Sequence, residues 1–501
     1  MPHVVPGVRR LSPPLVVALV ALAARLAPVL RGGGLTGILA YDDGVYYSAA
    51  DGLLSGRLPY RDYLLLHPPG ITLVLAPFAA LGRLVGEDPV GLAAARLAFM
   101  LLGATSAVLV WAVARQVSPR AGLVAGLGYA VWQPASYAER TTLLEPLVNL
   151  GLLAALALLG PSAGSASRRR VALAGVALGL AVAVKAWAVV PFAVLALWLL
   201  HRDGRRGAVT FTGAGTAAAA VVSLPFLLAA GPAMVRMVVL DQLGRPSNGV
   251  PLATRLASIE GWQLSPVPLP TGSALLAVVI ALLVAAAAAV VAWRVPAARV
   301  WAALLVAQGA LLLSGPSYFA HYGTYVAPAL VLLAGAGVDA VLCAVEAHTA
   351  AFRPLVPALG LVALAVLSAH VVTQPEGRRV PARTAEDALS GVRCVAADSA
   401  AALVTADVLT RDLRDGCRLV VDVTGLTYDQ DPGDLGAGPT PRERRRDLEW
   451  QASVARYFAG AGAVVLDQWR HDGLDGRLLA GLERRDVELG KPSYRVLVPA
   501  S

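Results

Sequence analysis

Two adjacent acids stand directly after the first long apolar block of the sequence. Asp42 and Asp43 belong to the segment Tyr41–Tyr47, at the depth expected for the lipid headgroups. An ionised side chain near hydrocarbon costs free energy unless it has a partner or a task, so these acids indicate a catalytic site. A solvated helix cap explains them equally well, since Asp suits an N-cap before Gly-Val-Tyr-Tyr. This segment alone leaves both interpretations open.

A second acidic segment surrounds an arginine. Glu139 and Glu145 lie six residues apart around Arg140, and a salt bridge between Arg140 and a glutamate explains part of the pattern. Glu145 precedes Pro146 at the start of an apolar block, where nothing local neutralises it. Glu145 is therefore a further candidate for a catalytic acid.

Phosphate-binding groups are expected among the basic and aromatic side chains between the apolar blocks. The candidates are His67, Arg140, Lys185, Arg245, Arg255, His321 and Tyr322. A guanidinium, ammonium or imidazole group at the headgroup level can bind a lipid phosphate. Structural roles stay open as well, because a backbone partner can satisfy His67 and snorkelling accounts for Lys185. An interfacial aromatic belt also accounts for His321 and Tyr322.

The elements that must position these residues are membrane helices. Of the 501 residues, 57% are hydrophobic and 15% are charged, whereas a soluble domain has roughly 45–50% apolar and about 25% charged residues. The apolar residues gather in blocks of about 15–25, which is the pattern of helices that cross a bilayer. The net charge of +9 comes mostly from arginines at the block ends, where they fix topology, so nucleic-acid binding is not expected.

The charge pattern predicts about eleven spanning helices. Arginine-rich joints at 115–120, 168–170, 201–206 and 294–299 mark the cytoplasmic side. The spans are expected near 13–31, 90–114, 121–138, 145–160, 170–184, 186–200, 208–230, 273–293, 300–316, 323–345 and 355–373. This topology predicts a multi-pass protein of the plasma membrane, with a cytoplasmic N-terminus and an extracytoplasmic C-terminal region.

One apolar stretch is too short for a span. Residues 71–85 would also place the joint at 115–120 on the wrong side if they crossed the membrane, so they are interpreted as a juxtamembrane or re-entrant helix. Residues 32–89 then form one long outer loop, which we predict to be catalytic. Further outer loops surround 139–145 and cover 231–271.

The chain divides by composition into a transmembrane module, 1–373, and a small α/β domain, 374–501, predicted to be extracytoplasmic. The second part has strand-like stretches at 392–396 and 417–423 and an apolar helical stretch near 400–409. The spacing leaves a disulfide between Cys394 and Cys417 open. The basic run 442–447 is interpreted as the cap or cover of a helix surface.

Taken in order, these segments resemble the GT-C membrane glycosyltransferases. The resemblance is carried by the acids after the first span, Gly56-Arg-Leu-Pro-Tyr-Arg-Asp62, His67-Pro-Pro, and Arg140 followed five residues later by Glu145-Pro146. Within that superfamily the chain looks like the protein O-mannosyltransferase-like group, which includes the aminoarabinose transferases acting on lipid A. The resemblance covers about residues 10–345 and implies a GT-C-like fold and a polyprenyl-phosphate sugar as donor.

The resemblance also implies roles for particular residues. Asp42, with Asp43 beside it, falls on the catalytic acid. Glu145 falls on the acid of the second loop, where relatives more often carry Asp, and His67 stands where aminoarabinose transferases commonly have Lys. We expect Asp42 to act as general base in an inverting transfer. Cationic groups, His67 and Lys185 with an arginine such as Arg245 or Arg255, would stabilise the departing phosphate.

The expected partners are a polyprenyl-phosphate sugar, membrane lipids and an extracytoplasmic glycan, lipid or protein acceptor. No cofactor is required by this chemistry. A divalent ion such as Mg²⁺ between Asp42 and the phosphate is left open, because two adjacent acids are a weak metal signal.

Two other functions compete with the glycosyltransferase. A polyprenyl-lipid or sugar-lipid transporter or flippase would place its ionisable residues near the middle of the membrane rather than in outer loops. A non-catalytic assembly protein could keep the fold, but Asp42, Asp43 and Glu145 argue against that interpretation.

Overall fold

The computed structural model describes residues 12–160, 166–263, 268–348, 371–380, 382–428, 440–467, 473–481, 484–487 and 494–499. The span predicted over 355–373 lies almost entirely outside these residues.

The described part of the chain up to residue 348 is almost entirely helical. Its α-helices are α1 Pro13–Arg31, α2 Tyr41–Leu54, α3 Gly70–Val85, α4 Asp88–Ala114, α5 Pro119–Val131, α6 Gln133–Ala138, α7 Glu145–Leu159, α8 Arg168–Val184, α9 Val189–Ala230, α10 Pro232–Val235, α11 Asp241–Leu243, α12 Leu252–Ile259, α13 Thr271–Arg294, α14 Ala298–Ser314 and α15 Ala327–His348. Short 3₁₀ helices occupy Ala186–Ala188 and Ala320–Val326, and a π-helical turn occupies Arg236–Leu240.

Several of these helices are those of a membrane protein. Within the described residues, five helical segments are long and apolar enough to cross a bilayer: Pro13–Arg31, Asp88–Ala114, Ala186–Ala230, Thr271–Arg294 and Ala320–Val345. Leucines on α13 such as Leu282 and Leu283 are each 65% exposed, as expected for a face covered by lipid. The total of eleven spans stays a prediction.

Helix α9 is a hairpin of two helices. Gly204 has φ 76° and ψ −173° and interrupts it, a conformation that glycine adopts without steric cost. The rings of Phe192 and Phe211 lie 4.9 Å apart, although 19 residues of straight helix would separate them by about 28 Å. The chain therefore reverses near Gly204, as the two spans predicted at 186–200 and 208–230 require.

The span predicted over 121–138 is not one continuous helix, and its crossing of the membrane stays a prediction. Helix α5 ends at Val131, and α6 begins again at Gln133 after an extended Trp132. Pro134 has no N–H group to donate to the carbonyl four residues earlier, and its ring crowds that carbonyl, which favours a break in the helix at this point. That carbonyl, of Ala130, instead accepts a hydrogen bond of 2.9 Å from Nη1 of Arg25.

The C-terminal part contains a four-stranded sheet, with β1 Val395–Ala397, β2 Ala463–Leu466, β3 Arg484–Val487 and β4 Arg495–Pro499. The order is β1-β2-β4-β3, with β1 parallel to β2 and the other two pairs antiparallel. Its described helices are Ala382–Leu389, Ala400–Thr405, Leu409–Arg414, Pro441–Arg444, Leu448–Ala459 and Gly476–Ala480, with a 3₁₀ turn at Thr424–Tyr428. Cys394 and Cys417 form a disulfide.

The strand predicted over 417–423 is wrong. None of its residues belongs to a strand, and it lies outside the sheet. Its alternating pattern arises because it passes between two cores: Leu419 and Val421 pack with residues of α2 and α3, while Val420 packs with Trp450. Such alternation satisfies the same sequence pattern as a half-buried strand.

The C-terminal part docks directly onto the catalytic loop predicted over 32–89. A Cβ atom on Gly44 of α2 would lie 1.9 Å from the backbone nitrogen of Ala401, so only glycine permits this approach. Polar groups complete the contact, because the hydroxyl oxygen of Thr410 lies within hydrogen-bond distance of two carboxylates, those of Asp51 at 3.0 Å and Asp88 at 2.5 Å. The docking places the C-terminal segment at 422–427 beside the start of α2.

Candidate active site

One cavity of about 400 Å³ brings together six of the residues selected from the sequence: Asp42, His67, Lys185, Arg245, His321 and Tyr322. They come from five separate segments of the chain, between 42 and 322. The volume lies within the range of about 300–1,000 Å³ that is common for small-molecule sites. The cavity therefore combines an acid with basic groups in a space large enough for a sugar phosphate.

Asp42 lies in the first turn of α2 and faces the cavity. Its side chain reaches the cavity yet is surrounded by protein, which raises the pKa of the carboxyl group from 3.8 to about 7. Burial is the largest cause; the negative charges of Asp422 and Glu145 raise the pKa further, while Lys185 and Arg245 lower it. A carboxyl group with this pKa can gain and lose a proton near neutral pH.

Neither acid is a solvated helix cap. The N-cap position is Ala40, and no side chain caps the helix there. Asp43 is fully buried in an ion pair with Arg96, at 2.7 Å, and also accepts a hydrogen bond of 2.6 Å from the backbone nitrogen of Thr142. The structure thus places Asp43 behind the cavity wall, where its contacts fix the start of α2.

Lys185 and Glu145 form a buried pair at the base of the cavity. Nζ of Lys185 lies 2.5 Å from Oε1 of Glu145 and stands over the rings of Trp187, at 4.1 Å, and Tyr322, at 4.7 Å. Nε2 of His321 lies 3.8 Å from the same carboxylate oxygen. Lys185 lines the cavity, whereas Glu145 lies beneath it. Glu145 therefore holds the lysine rather than facing the open space.

His67 presents a neutral imidazole to the cavity. Burial, followed by the charges of Lys185 and Arg245, lowers its pKa well below 6.5. The ring packs edge-on against Tyr46 with centroids 5.8 Å apart. At neutral pH His67 can therefore donate a hydrogen bond to a phosphate but adds no positive charge.

The arginines predicted for phosphate binding separate into two groups. Arg245 lines the cavity, with its guanidinium 5.2 Å from the ring centroid of Phe319. Arg255 is directed elsewhere, because it donates to backbone carbonyls that include Val250 at 3.0 Å and Gly315 at 2.5 Å. Arg255 thus ties α12 to the end of α14.

Arg140 is also outside the cavity, and its ion pair differs from the one predicted. It contacts Glu376 at 3.1 Å rather than a neighbouring glutamate. Glu139 pairs instead with Arg25 and accepts a hydrogen bond of 2.7 Å from the hydroxyl of Tyr129. Both pairs join segments distant in sequence, which local spacing cannot reveal.

The fold of this chain is similar to that of several solved structures. The chain is similar to ArnT from Cupriavidus metallidurans, with TM-scores of 0.60 in the apo state and 0.57 bound to undecaprenyl phosphate, at 16% identity over 96% of this chain and 97% of that one. It is also similar to AglB from Archaeoglobus fulgidus, an oligosaccharyltransferase in complex with an inhibitory peptide and a dolichol-phosphate, with a TM-score of 0.55 at 12% identity over 91% of this chain and 69% of that one. No protein-family model and no curated protein sequence matches the chain. The chain has the GT-C glycosyltransferase fold.

Sequence reasoning missed four polar cavity residues of the C-terminal part. Asp422, Thr424, Thr427 and Arg444 line the same cavity as Asp42 and Lys185. Asp422 stands at the end of a strand-like run and Arg444 within a basic run, and both patterns indicate an ordinary structural role. Only the docking of the C-terminal part onto α2 brings them to Asp42.

Among the residues that the structure describes, no group of three or more His, Cys, Asp or Glu side chains could hold a metal ion. A divalent ion between Asp42 and a donor phosphate stays a prediction.

Proposed function

We propose that this chain is an integral membrane glycosyltransferase that moves a sugar from a polyprenyl-phosphate donor to an extracytoplasmic acceptor, with inversion and with Asp42 as general base. One observation carries the proposal: Asp42 lines the same cavity as Lys185 and Arg245. A base and two cations in one space match a reaction that removes a proton from an acceptor and releases a phosphate.

The fold comparisons support the donor class. The similar ArnT structure holds undecaprenyl phosphate, and the similar AglB structure holds a dolichol-phosphate. Both ligands are phosphates on long isoprenoid chains. A polyprenyl-phosphate sugar is therefore the donor that this fold favours.

The cavity residues suggest how the bonds change. The donor phosphate lies near Lys185 and Arg245, and His67 donates a neutral N–H to it. The acceptor oxygen attacks the anomeric carbon from the opposite face while Asp42 accepts its proton. The bond between the anomeric carbon and the phosphate oxygen breaks, and the polyprenyl phosphate leaves with the electron pair. Cationic donors stabilise the charge that develops on that oxygen.

Buried ion pairs serve this chemistry indirectly. Asp43 and Arg96 fix the first turn of α2, which aims Asp42 at the cavity. Glu145 orients Lys185 and offsets its charge. Asp43 and Glu145 thus act as positioning residues in this proposal, and Arg140 and Arg255 hold loops together.

Two features of the structure support a cavity that faces away from the cytoplasm. Disulfides persist in oxidising compartments outside the cytoplasm, and Cys417 lies only five residues before Asp422 of the cavity wall. The arginine-rich joint at 115–120 follows the end of α4, whereas Asp88 at the other end contacts the C-terminal part. Positive charge marks the cytoplasmic ends of spans.

Sugar transfer by the purified full chain in detergent tests the proposal. Radiolabelled polyprenyl-phosphate mannose and polyprenyl-phosphate arabinose are supplied with acceptors extracted from cell envelopes, and labelled product is measured. Transfer from either donor supports the enzyme. No transfer together with saturable binding of undecaprenyl phosphate would overturn it in favour of a lipid carrier or flippase.

Transfer is expected to rise with pH through about 7. Only ionised Asp42 accepts a proton, so kcat/KM should reach about a tenth of its plateau at pH 6 and about nine-tenths at pH 8. Burial lowers the pKa of His67 well below 6.5, so the rise is assigned to Asp42. A pH profile of kcat/KM checks this expectation. The profile should cover about 1.5 pH units on each side of the pKa of Asp42, from about pH 5.5 to about 8.5, and a flat profile over that range would contradict it.

Arg245→Gln is expected to weaken binding of undecaprenyl phosphate by about 10- to 100-fold, because it removes a charge-assisted hydrogen-bond donor. Intrinsic tryptophan fluorescence during titration with the lipid measures the dissociation constant. Arg236→Gln is the matched control, since Arg236 lies in the same outer loop but does not line the cavity. Equal weakening by both variants would assign the effect to the charge of the loop rather than to the site.

A further inference from the structure

Asp422 stands where two cavities meet. It lines the cavity of Asp42, and it also lines a second cavity of about 550 Å³ between the segments at 57–64 and 416–422. Leu64 is the other residue that both cavities share. The second cavity, called the acceptor cleft below, therefore adjoins the cavity of Asp42 at Asp422 and Leu64, and neither Lys185 nor Arg245 lines it.

The carboxylate of Asp422 is held in a fixed orientation. Its Oδ1 accepts hydrogen bonds from the hydroxyl of Tyr41 at 2.9 Å, the hydroxyl of Thr424 at 2.8 Å and the backbone nitrogen of Gly425 at 2.8 Å. Among the described residues, none donates to Oδ2. An ionised carboxylate offers acceptor sites on both oxygens. One oxygen thus fixes the side chain and the other is available to a ligand.

The acceptor cleft has a polar outer surface. Its apolar lining residues Leu419, Val420 and Val421 are buried, whereas the charged Asp62 and Arg418 are exposed. A lipid chain would need an exposed apolar path. The carboxylates of Asp62 and Asp422 and the guanidinium groups of Arg57 and Arg418 instead match a ligand that presents many hydroxyls.

We propose that the acceptor cleft admits a hydroxyl-rich glycan and that Oδ2 of Asp422 accepts a hydrogen bond from an acceptor hydroxyl beside the one that attacks the donor. This inference rests on the proposed glycosyltransferase activity and names the acceptor for the same site. The attacking hydroxyl gives its proton to Asp42. The neighbouring hydroxyl keeps its proton and only orients the sugar. The negative charge of Asp422 also raises the pKa of Asp42, which couples acceptor binding to the strength of the base.

Asp422→Asn tests the proposal, with short mannose and arabinose oligosaccharides as acceptors. The amide keeps an oxygen for the three donors on Oδ1 but removes the charged acceptor. We expect acceptor KM to rise about tenfold or more, and the pH at half-maximal kcat/KM to fall. The dissociation constant for undecaprenyl phosphate should stay within about twofold of the wild-type value, because the donor site remains intact. Asp415→Asn is the matched control, because Asp415 is an exposed carboxylate in the same region that lines neither cavity.

Arg418→Trp gives a second measurement that does not touch the reacting groups. Arg418 is exposed at the acceptor cleft, so the bulkier side chain should raise KM more for a tetrasaccharide than for a disaccharide. An unchanged acceptor KM and pH profile in Asp422→Asn would overturn the proposal, as would equal losses in donor and acceptor binding. If the wild-type chain transfers no sugar, the proposed function fails. The acceptor site is then judged by direct oligosaccharide binding, which must weaken in Asp422→Asn.

Discussion

Asp42→Asn is expected to lower kcat for sugar transfer by about a thousandfold, since a general base contributes about 10²- to 10⁴-fold to a rate. The amide has nearly the same shape but cannot accept a proton from the acceptor hydroxyl. Binding of undecaprenyl phosphate should stay within about threefold, because the phosphate meets Lys185, Arg245 and His67 instead. Single-turnover transfer and lipid titration on the same preparation measure both quantities.

Controls for this variant separate chemistry from folding. Asp415→Asn makes the same substitution at an exposed carboxylate and should transfer normally. Asp42→Glu keeps a base but moves it by one methylene, so partial activity is expected. A folded Asp42→Asn protein with wild-type turnover would remove Asp42 from the mechanism, and the general base would have to be sought elsewhere in the cavity.

Much of the membrane architecture follows from composition. Apolar blocks with arginines between them predicted α1, α4, α13 and α14 closely, because bilayer thickness and backbone hydrogen bonding leave few alternatives. The break before Pro134 was missed, although proline in a helix interior is itself a signal. In that segment, the length of the apolar block was given more weight than the proline within it.

The residues of the candidate site fall into two groups, according to whether their partners are near or distant in sequence. Residues at element ends, such as Asp42, Lys185 and His321, were selected because polar groups there lack local partners, and the structure places all three in one cavity. Partners distant in sequence were not found, as in the pairs Arg96–Asp43 and Arg140–Glu376. An ion pair between distant segments produces no periodic pattern in the sequence. A buried structural acid and a catalytic acid beside it therefore cannot be distinguished from the sequence.

Asp422 is the clearest example of a site residue that the sequence does not indicate. The run before it alternates like a strand because its side chains enter two separate cores. Nothing in that pattern indicates that the next residue faces a cavity in another part of the chain. Its placement depends on the close approach of α2 at Gly44, which is a property of packing between distant segments.

Asp43→Asn is expected to lower the free energy of unfolding by about 3–5 kcal/mol, the usual cost of removing one partner from a buried ion pair. Both side chains of the Asp43–Arg96 pair are fully buried. In the described part of the chain, the other hydrogen-bond partners of Arg96 are the carbonyls of Leu35 at 2.6 Å and Gly37 at 2.7 Å, which are uncharged and do not compensate its charge. Thermal unfolding in detergent should show a lower midpoint.

The exposed pair between Arg61 and Asp62 provides the matched comparison. Those side chains are 50% and 31% exposed, so Arg61→Gln should change stability by less than about 1 kcal/mol. Replacing both buried partners, as in Asp43→Asn with Arg96→Met, should recover part of the loss, because no uncompensated charge remains inside. An unchanged midpoint for Asp43→Asn would show that water reaches Arg96. The first turn of α2 would then lack the rigid support that our mechanism gives Asp42.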